Sequence, residues 1–261
     1  MDDGITQGIT MIPLAPDHAL EIIDLKKAFG GLVVTQDVSL AIRPGERRLI
    51  IGPNGAGKTT LFNQISGDLR PNSGQIKLFG TDVTQFTPYK RAHLGLSRTY
   101  QIITLFSGDT LEHNVTLGLL GLRPSRWQMW RPLSFYSDLA TEARRTLDAV
   151  GLLHLAEHPV SDIAYGEKRR VELAMALAQK PRVLLLDEPL AGLSNTERSQ
   201  VKSLIASIPR ETTLIMIEHD MDTALDLAET VTLLNYGRVI ADGGRDAVIA
   251  DGRTREVYLG I

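Results

Sequence analysis

The segment GPNGAGKT at residues 52–59 separates Gly52 from Gly57 by four residues and follows with Lys58 and Thr59. That spacing suits a phosphate cradle. Glycine lets backbone N–H groups approach phosphate oxygens, a lysine ammonium reaches the terminal phosphates, and a threonine hydroxyl can ligate a divalent cation. Gly52, Pro53, Asn54, Gly55, Ala56, Gly57, Lys58, Thr59 and Thr60 are the candidate binders. A glycine-rich turn with no phosphate is the plainer alternative, but the preceding strand pattern RRLII and the helical pattern that follows favour the cradle. Asp187 and Glu188 close the apolar run VLLLDEP (183–189). A carboxylate at the end of a buried strand lies where open α/β sheets bind ligands, so Asp187 is placed to hold Mg²⁺ through water and Glu188 to orient an attacking water. His219 ends a second apolar run, TLIMIEHD (213–220), and Gln101 lies in RTYQIITLF (98–106). Neither is specific alone; each gains weight from its place in the order.

One further stretch, SDIAYGEKRRVELAMALAQKP (161–181), predicts a helix with Lys168, Arg169 and Arg170 near its start. A helix N-terminus carries about half a positive charge and prefers anions. The sequence therefore predicts either a solvated basic face or an anion docked at that helix start.

The elements that must position these groups follow from periodicity. In VVTQDVSLAI (33–42), Val34, Val38, Leu40 and Ile42 share one face at period two. RRLII (47–51) predicts a buried strand, residues 58–66 a helix and GQIKLFG (74–80) a short strand. Residues 100–164 predict helices without a strong apolar strand, and RPSRWQMWRPLS (123–134) breaks that pattern with two prolines. Its tryptophans, Trp127 and Trp130, suit packing or an interface. VLLLD and TLIMI are apolar on both faces, as central parallel strands are. VTLLNYGRVIADG (231–243) predicts a hairpin turning near residues 235–237.

Composition narrows the classes. The 261 residues carry a net charge of −3, which gives no polyanion-binding surface, and no nucleic-acid partner is expected. The absence of cysteine excludes disulfides and thiolate metal sites. The apolar stretch VTLGLLGL (115–122) falls well short of the roughly 20 residues of a bilayer span. MDDGITQGITMIPLAP is acidic and has no basic n-region, predicting a flexible extension over 1–19 and no signal peptide. Any membrane role must therefore come through a partner.

Taken in order, the phosphate loop, Gln101, the Tyr-Gly-Glu helix, the Asp-Glu pair and His219 resemble the ATP-binding subunits of ABC transporters. The likeness spans about residues 20–260. It implies an α/β fold: a P-loop NTPase (RecA-like) core with an antiparallel β subdomain (20–100 and 165–243), an inserted α-helical subdomain (101–164) and a C-terminal helical tail (244–261). It implies ATP and Mg²⁺, with Thr59, Gln101 and Asp187 toward the metal and Lys58, Glu188 and His219 as the catalytic set. IAYGE (163–167) stands at the ABC signature position, so Ala164, Tyr165, Gly166 and Glu167 would meet the γ-phosphate held by the opposing subunit of a dimer. By the same resemblance Phe29 stacks on adenine, and the cations 168–170 face the partner's nucleotide or acidic groups, their conflict with the helix dipole relieved only in the ATP-bound dimer.

The resemblance further implies a peripheral subunit at the cytoplasmic face of the membrane, a homodimer or a heterodimer with a paralogous ATPase. It would work with integral-membrane permease subunits, docked by residues 102–106, and with a periplasmic or extracellular substrate-binding protein. KAFGGLVVTQDVSL, RTYQIITLF, DEPLAGLS, IEHDM and EVYLG carry a finer likeness to the branched-chain or hydrophobic amino-acid uptake branch. Importers of urea, amides or aromatic acids are alternatives, as is a soluble ABC ATPase without a permease, though this chain has one core and no sustained heptads. Two departures stand out: Ala164 where the signature has Ser, and Ser194 where the following loop has Asp.

Overall fold

In the computed structural model the residues described are 17–101, 103–123, 137–218 and 224–259. Two sheets organise them. β1 (Leu20–Phe29), β2 (Leu32–Ile42), β4 (Ser73–Leu78) and β5 (Thr81–Asp82) pair antiparallel in the order β2-β1-β4-β5. The second sheet contains β3 (Arg47–Ile51), β6 (Leu96–Arg98), β7 (Val183–Asp187), β8 (Thr213–Ile217), β9 (Thr230–Asn235) and β10 (Arg238–Gly244). Its order is β10-β9-β3-β8-β7-β6, parallel except for the β9–β10 hairpin.

Every residue of β3, β7 and β8 is buried, because both faces are covered. Ile50, Leu185, Ile215 and Ile217 pack with Leu61, Phe62 and Ile65 of α1 (Lys58–Ser66). The alternate positions Leu49, Ile51, Leu184, Leu186, Leu214 and Met216 pack with Leu173 and Ala176 of α5 (Tyr165–Ala178) and Val201 and Ile205 of α6 (Asn195–Ser207). Each such aliphatic side chain contributes about 1.5–3 kcal/mol by leaving water. This double cover sets the ends of β3, β7 and β8 side by side, with β8 between the other two.

A third cluster joins α3 (Leu111–Gly121), α4 (Ser137–Ala149) and α5. Leu111, Val115 and Leu119 on α3 and Leu139, Ala143 and Leu147 on α4 recur at every fourth residue, one stripe per helix. The cluster takes in Val171 and Ala174, so α5 packs on the sheet with one stripe and on α3 and α4 with the other. Thr110 caps α3, its hydroxyl oxygen accepting the His113 N–H at 3.1 Å. The chain closes with α2 (Pro88–His93) earlier in sequence and α7 (Arg245–Ala250) and α8 (Gly252–Leu259) at its end.

The structure departs from the sequence pattern in two places. In β2, Val38, Leu40 and Ile42 are buried, but Val34 is half-buried and Thr35 is buried instead. Asp37 adopts φ 51°, and the register slips between the Leu25–Val38 and Lys27–Thr35 pairs. A bulge reverses which face each side chain meets. Ala19, expected in the extension, is fully buried and hydrogen-bonded to Ile42 and Phe79. The prolines and tryptophans of 124–134 lie outside the described residues, as does 1–16.

Arg91 fastens α1 from below. It is 1% exposed and donates to the carbonyls of Gln64 (2.6 Å), Ile65 (2.6 Å), Thr84 (3.1 Å) and Phe86 (3.2 Å). Two of these are the carbonyls that a helix C-terminus leaves without partners. Burial pushes the Arg91 guanidinium down to about 10, so it keeps its charge at neutral pH. Gly67 ends α1 at φ 89°, and a Cβ there would sit 2.9 Å from both the Arg91 Nε and the Phe86 carbonyl oxygen. Removing the guanidinium leaves those carbonyls buried and unpaired, so Arg91→Met is expected to lower unfolding free energy by about 3 kcal/mol or more, measured by denaturant titration.

Candidate active site

The loop between β3 and α1 is open because its glycines hold conformations that other residues resist. Gly57 sits at φ 100° and Gly52 at φ 154°, and a Cβ on either would collide with the carbonyl of Val34 or Leu234. Lys58, 5% exposed, donates to the carbonyls of Gly52 (2.6 Å) and Pro53 (3.0 Å). Burial pushes its ammonium below the ordinary value, while Glu188 and Asp187 act in the opposite direction. Residues 54–60, Val34, Gln101 and Glu188 line one cleft of about 270 Å³. The helix start, its free N–H groups and a lysine together make a site for a polyphosphate.

The carboxylates meet the cleft through an unusual backbone. Glu188 is 6% exposed and adopts φ 49°, a left-handed conformation that costs a non-glycine residue about 1–3 kcal/mol. Its N–H donates to the Ile217 carbonyl at the end of β8 (3.0 Å). Its side-chain Oε2 accepts from Gln101 Nε2 at 3.0 Å. Beside it, Asp187 Oδ2 accepts from Arg98 Nη2 at 2.8 Å. Arg98 also donates to Asn63 Oδ1 (2.7 Å) and Ser66 Oγ (3.0 Å) of α1 and lies over the Tyr100 ring at 4.7 Å. The other oxygen, Asp187 Oδ1, is buried and has no hydrogen-bond partner among the described residues. A buried carboxylate oxygen left open next to Glu188 at the end of β7 fits a divalent cation, directly or through water.

Sequence reasoning thus finds residues 54–60, Gln101 and Glu188 gathered in one place, with Asp187 next to Glu188 at the end of β7. Gly52 and Pro53 bind the Lys58 ammonium. Phe29 is not in the cleft wall; its ring is half exposed at the end of β1, with Lys27 Nζ 5.3 Å from the centroid. His219 lies outside the described residues, although β8, which leads to it, runs between β3 and β7.

Ala164, Tyr165, Gly166 and Glu167 do not line the cleft; Ala164 and Tyr165 are exposed. Here the expectation fails for Arg169, the middle cation of the basic run. Arg169 turns inward, 2% exposed, and Arg170 donates to the Val150 carbonyl at 3.1 Å. The start of α5 already holds anions of its own chain. Glu167 Oε2 accepts the Ala164 N–H at 2.8 Å and Glu197 Oε1 accepts the Gly166 N–H at 3.1 Å. The dipole conflict is therefore relieved within one chain, without a nucleotide. Glu197 is kept ionised below the usual carboxylate range, first by the Ser194 hydroxyl, then by the Ser194 and Gly166 N–H groups and Arg170.

Arg98, Glu197 and the inward role of Arg169 escaped the sequence reading. For Arg169 there was a signal: with Leu173 and Ala176 it falls at i, i+4, i+7 on the stripe of α5 that faces the sheet. A cation on an apolar stripe has to be buried or bent away.

Comparison with known proteins gives the family. Residues 35–191 match the family model described as ABC transporter. A probable ABC transporter ATP-binding protein of Azorhizobium caulinodans is 33% identical, over 99% of this chain and 89% of that protein. The high-affinity branched-chain amino acid transport ATP-binding protein BraF of Pseudomonas aeruginosa is 34% identical, over 92% of this chain and 97% of its own length. Among solved structures, the ADP conformation of an ATP-binding cassette of an ABC transporter superposes with a TM-score of 0.83. It is 27% identical and covers 93% of this chain and 99% of that one.

Ala164 gives α5 an N-cap that has no side-chain acceptor, so only the Glu167 half of a capping box forms. Ala164→Ser supplies the missing acceptor and is expected to stabilise the fold by about 1 kcal/mol, read as a higher denaturation midpoint.

Proposed function

The chain belongs to the ABC transporter family and is an ABC-type ATPase, and from that premise we propose that it energises a separate membrane permease that imports branched-chain or related hydrophobic amino acids. The carrying observation for the chemistry is the single cleft that unites the phosphate cradle with Gln101 and Glu188, beside Asp187 and its open buried oxygen. The relationship to BraF across nearly the whole chain supports the amino-acid class of cargo.

Within the cleft the roles divide by chemistry. The N–H groups at the start of α1 and the Lys58 ammonium bind the β- and γ-phosphates. Mg²⁺, held by Thr59, Gln101 and Asp187, would neutralise charge developing on the phosphate oxygens. Glu188 orients and polarises the attacking water, and Gln101, already donating to Glu188, keeps that carboxylate turned to the cleft. Phe29, half exposed at the end of β1, is the proposed stacking partner of the adenine ring. His219, which follows β8 in sequence, is the proposed sensor of the γ-phosphate.

The signature residues bear on a second subunit. Since Ala164–Glu167 stand apart from their own cleft, a nucleotide they touch has to be held by another chain, a second copy or a paralogous ATPase. Docking there exchanges the Glu197 carboxylate on the Gly166 N–H for a phosphate oxygen. No described helix is long and apolar enough to cross a membrane, which suits a peripheral subunit on the cytoplasmic side, coupled to permease subunits through residues 102–106 and served by an external substrate-binding protein. Phe106 is 60% exposed there.

Glu188→Gln keeps the shape of the side chain and removes its basicity. That variant is expected to bind ATP as the native chain does, to dimerise more persistently with MgATP in size-exclusion chromatography, and to lose about 100-fold or more in turnover. Unchanged turnover would remove Glu188 from the mechanism.

A further inference from the structure

We infer that Arg169 is a positioning residue for hydrolysis: its guanidinium fixes the backbone of Glu188 and of the segment entering Gln101 on the helix that carries the signature loop. The inference rests on the hydrolytic role of Glu188 given above and extends it to a residue outside the cleft.

A guanidinium has five N–H donors in a rigid plane, and all five are used. Nε donates to the Pro189 carbonyl (3.3 Å), Nη2 to the carbonyls of Asp187 (3.0 Å) and Glu188 (2.5 Å), and Nη1 to the Tyr100 carbonyl (2.8 Å) and Glu172 Oε2 (2.8 Å). Three successive carbonyls at the end of β7, and the one immediately before Gln101, thus converge on one side chain. The acid on Arg169, Glu172, is three residues along the same helix and 8% exposed. A buried ion pair costs desolvation and by itself stabilises little, so its geometry calls for a reason beyond stability.

That reason lies in Glu188. A left-handed glutamate persists only where the surroundings over-determine it. Both of its flanking amides are held: the N–H by Ile217 on β8 and the carbonyl by Arg169 on α5. Releasing the carbonyl lets the peptide relax toward ordinary φ and swings the carboxylate away from Gln101, while the phosphate cradle, built from β3 and α1, stays as it is. The same guanidinium sits on the first turns of α5, so the helix start that meets a partner's phosphate is rigidly joined to the carboxylate working on its own.

The test compares Arg169→Lys, Glu188→Gln and the double variant of the full chain. A lysine keeps the charge, but its three N–H donors radiate from one nitrogen and do not span the carbonyls. Arg169→Lys is expected to lower kcat at least about 10-fold while ATP affinity, measured with a fluorescent ATP analogue, moves less than about threefold. In the Glu188→Gln background the same change should alter residual turnover less than about twofold, because both act through one group. Arg47→Lys is the comparator for a merely structural arginine. Arg47 is 8% exposed and donates to the Ala206 and Ile208 carbonyls at the opposite end of β3; its turnover per folded molecule should stay native. Parallel losses of affinity and kcat in Arg169→Lys, or multiplicative effects in the double variant, would overturn the inference. Undiminished turnover in Glu188→Gln alone would instead overturn the hydrolytic reading on which it rests.

Discussion

A strand that ends at a phosphate cleft has to turn its last carboxylates outward just as its carbonyls leave the sheet, and those carbonyls still need donors. The rest of the site depends on how β7 meets that demand. Water could satisfy the carbonyls only by entering the place from which ordered chemistry excludes it. The chain uses arginine instead. One guanidinium gathers the carbonyls of residues 187–189, and a second, Arg98, takes one oxygen of Asp187 and ties it to α1. The same device recurs away from the cleft, where Arg91 receives the carbonyl end of α1 and Arg47 that of α6. A planar fork with several donors suits carbonyls that diverge at an element's end, where a backbone N–H can reach only one.

The electrostatics of the cleft follow from this choice. Asp187 and Glu188 are adjacent buried acids, and Arg98, Arg169 and Lys58 surround them with compensating charge. The compensation is incomplete by design of the geometry: Arg98 binds one oxygen of Asp187 and the other is left open among the described residues, while Lys58 donates to the carbonyls of Gly52 and Pro53. Each group that a nucleotide would engage is therefore held in place by a contact that the nucleotide can replace. The exchange at Lys58 trades neutral carbonyls for phosphate oxygens, a gain in charge–charge attraction for little loss of order. The cradle is pre-organised, and binding spends little free energy on ordering it.

The parts of this arrangement that were legible in the sequence are local. The cradle is legible because its glycines, lysine and threonine are contiguous and each has a separate physical reason. β7 and β8 are legible because burial on both faces leaves the nearly unbroken apolar runs VLLL and LIMI, and β3 because LII follows its two arginines. Gln101 and Glu188 come from segments nearly ninety positions apart, and only the parallel sheet with its β6–β7 pair puts them within a hydrogen bond. The phase of β2 is hidden by one left-handed aspartate. The basic run of α5 misled for a different reason: charge was read as facing outward, although periodicity placed Arg169 on the stripe that faces the sheet. Periodicity ranks above residue type when the two disagree, provided that acceptors exist inside, and the end of any strand supplies them.

The two departures from the ABC pattern, Ala164 and Ser194, meet at one corner and are physically linked. Ser194 caps α6, its Oγ donating to Glu197 Oε2 at 2.6 Å, and the Ser194 N–H donates to the same oxygen at 2.9 Å. Those bonds aim the other oxygen of Glu197 at the Gly166 N–H. An aspartate at 194 would put a second carboxylate against Glu197, and like charges at that distance repel. The acid of this corner is Glu197, in the first turn of α6. There it covers the helix start that Ala164, without a hydroxyl, cannot cap for itself. Ala164 removes a hydrogen-bonding group from the signature loop, Ser194 makes room for a carboxylate to serve the loop instead, and the price is a resident anion where a phosphate has to come.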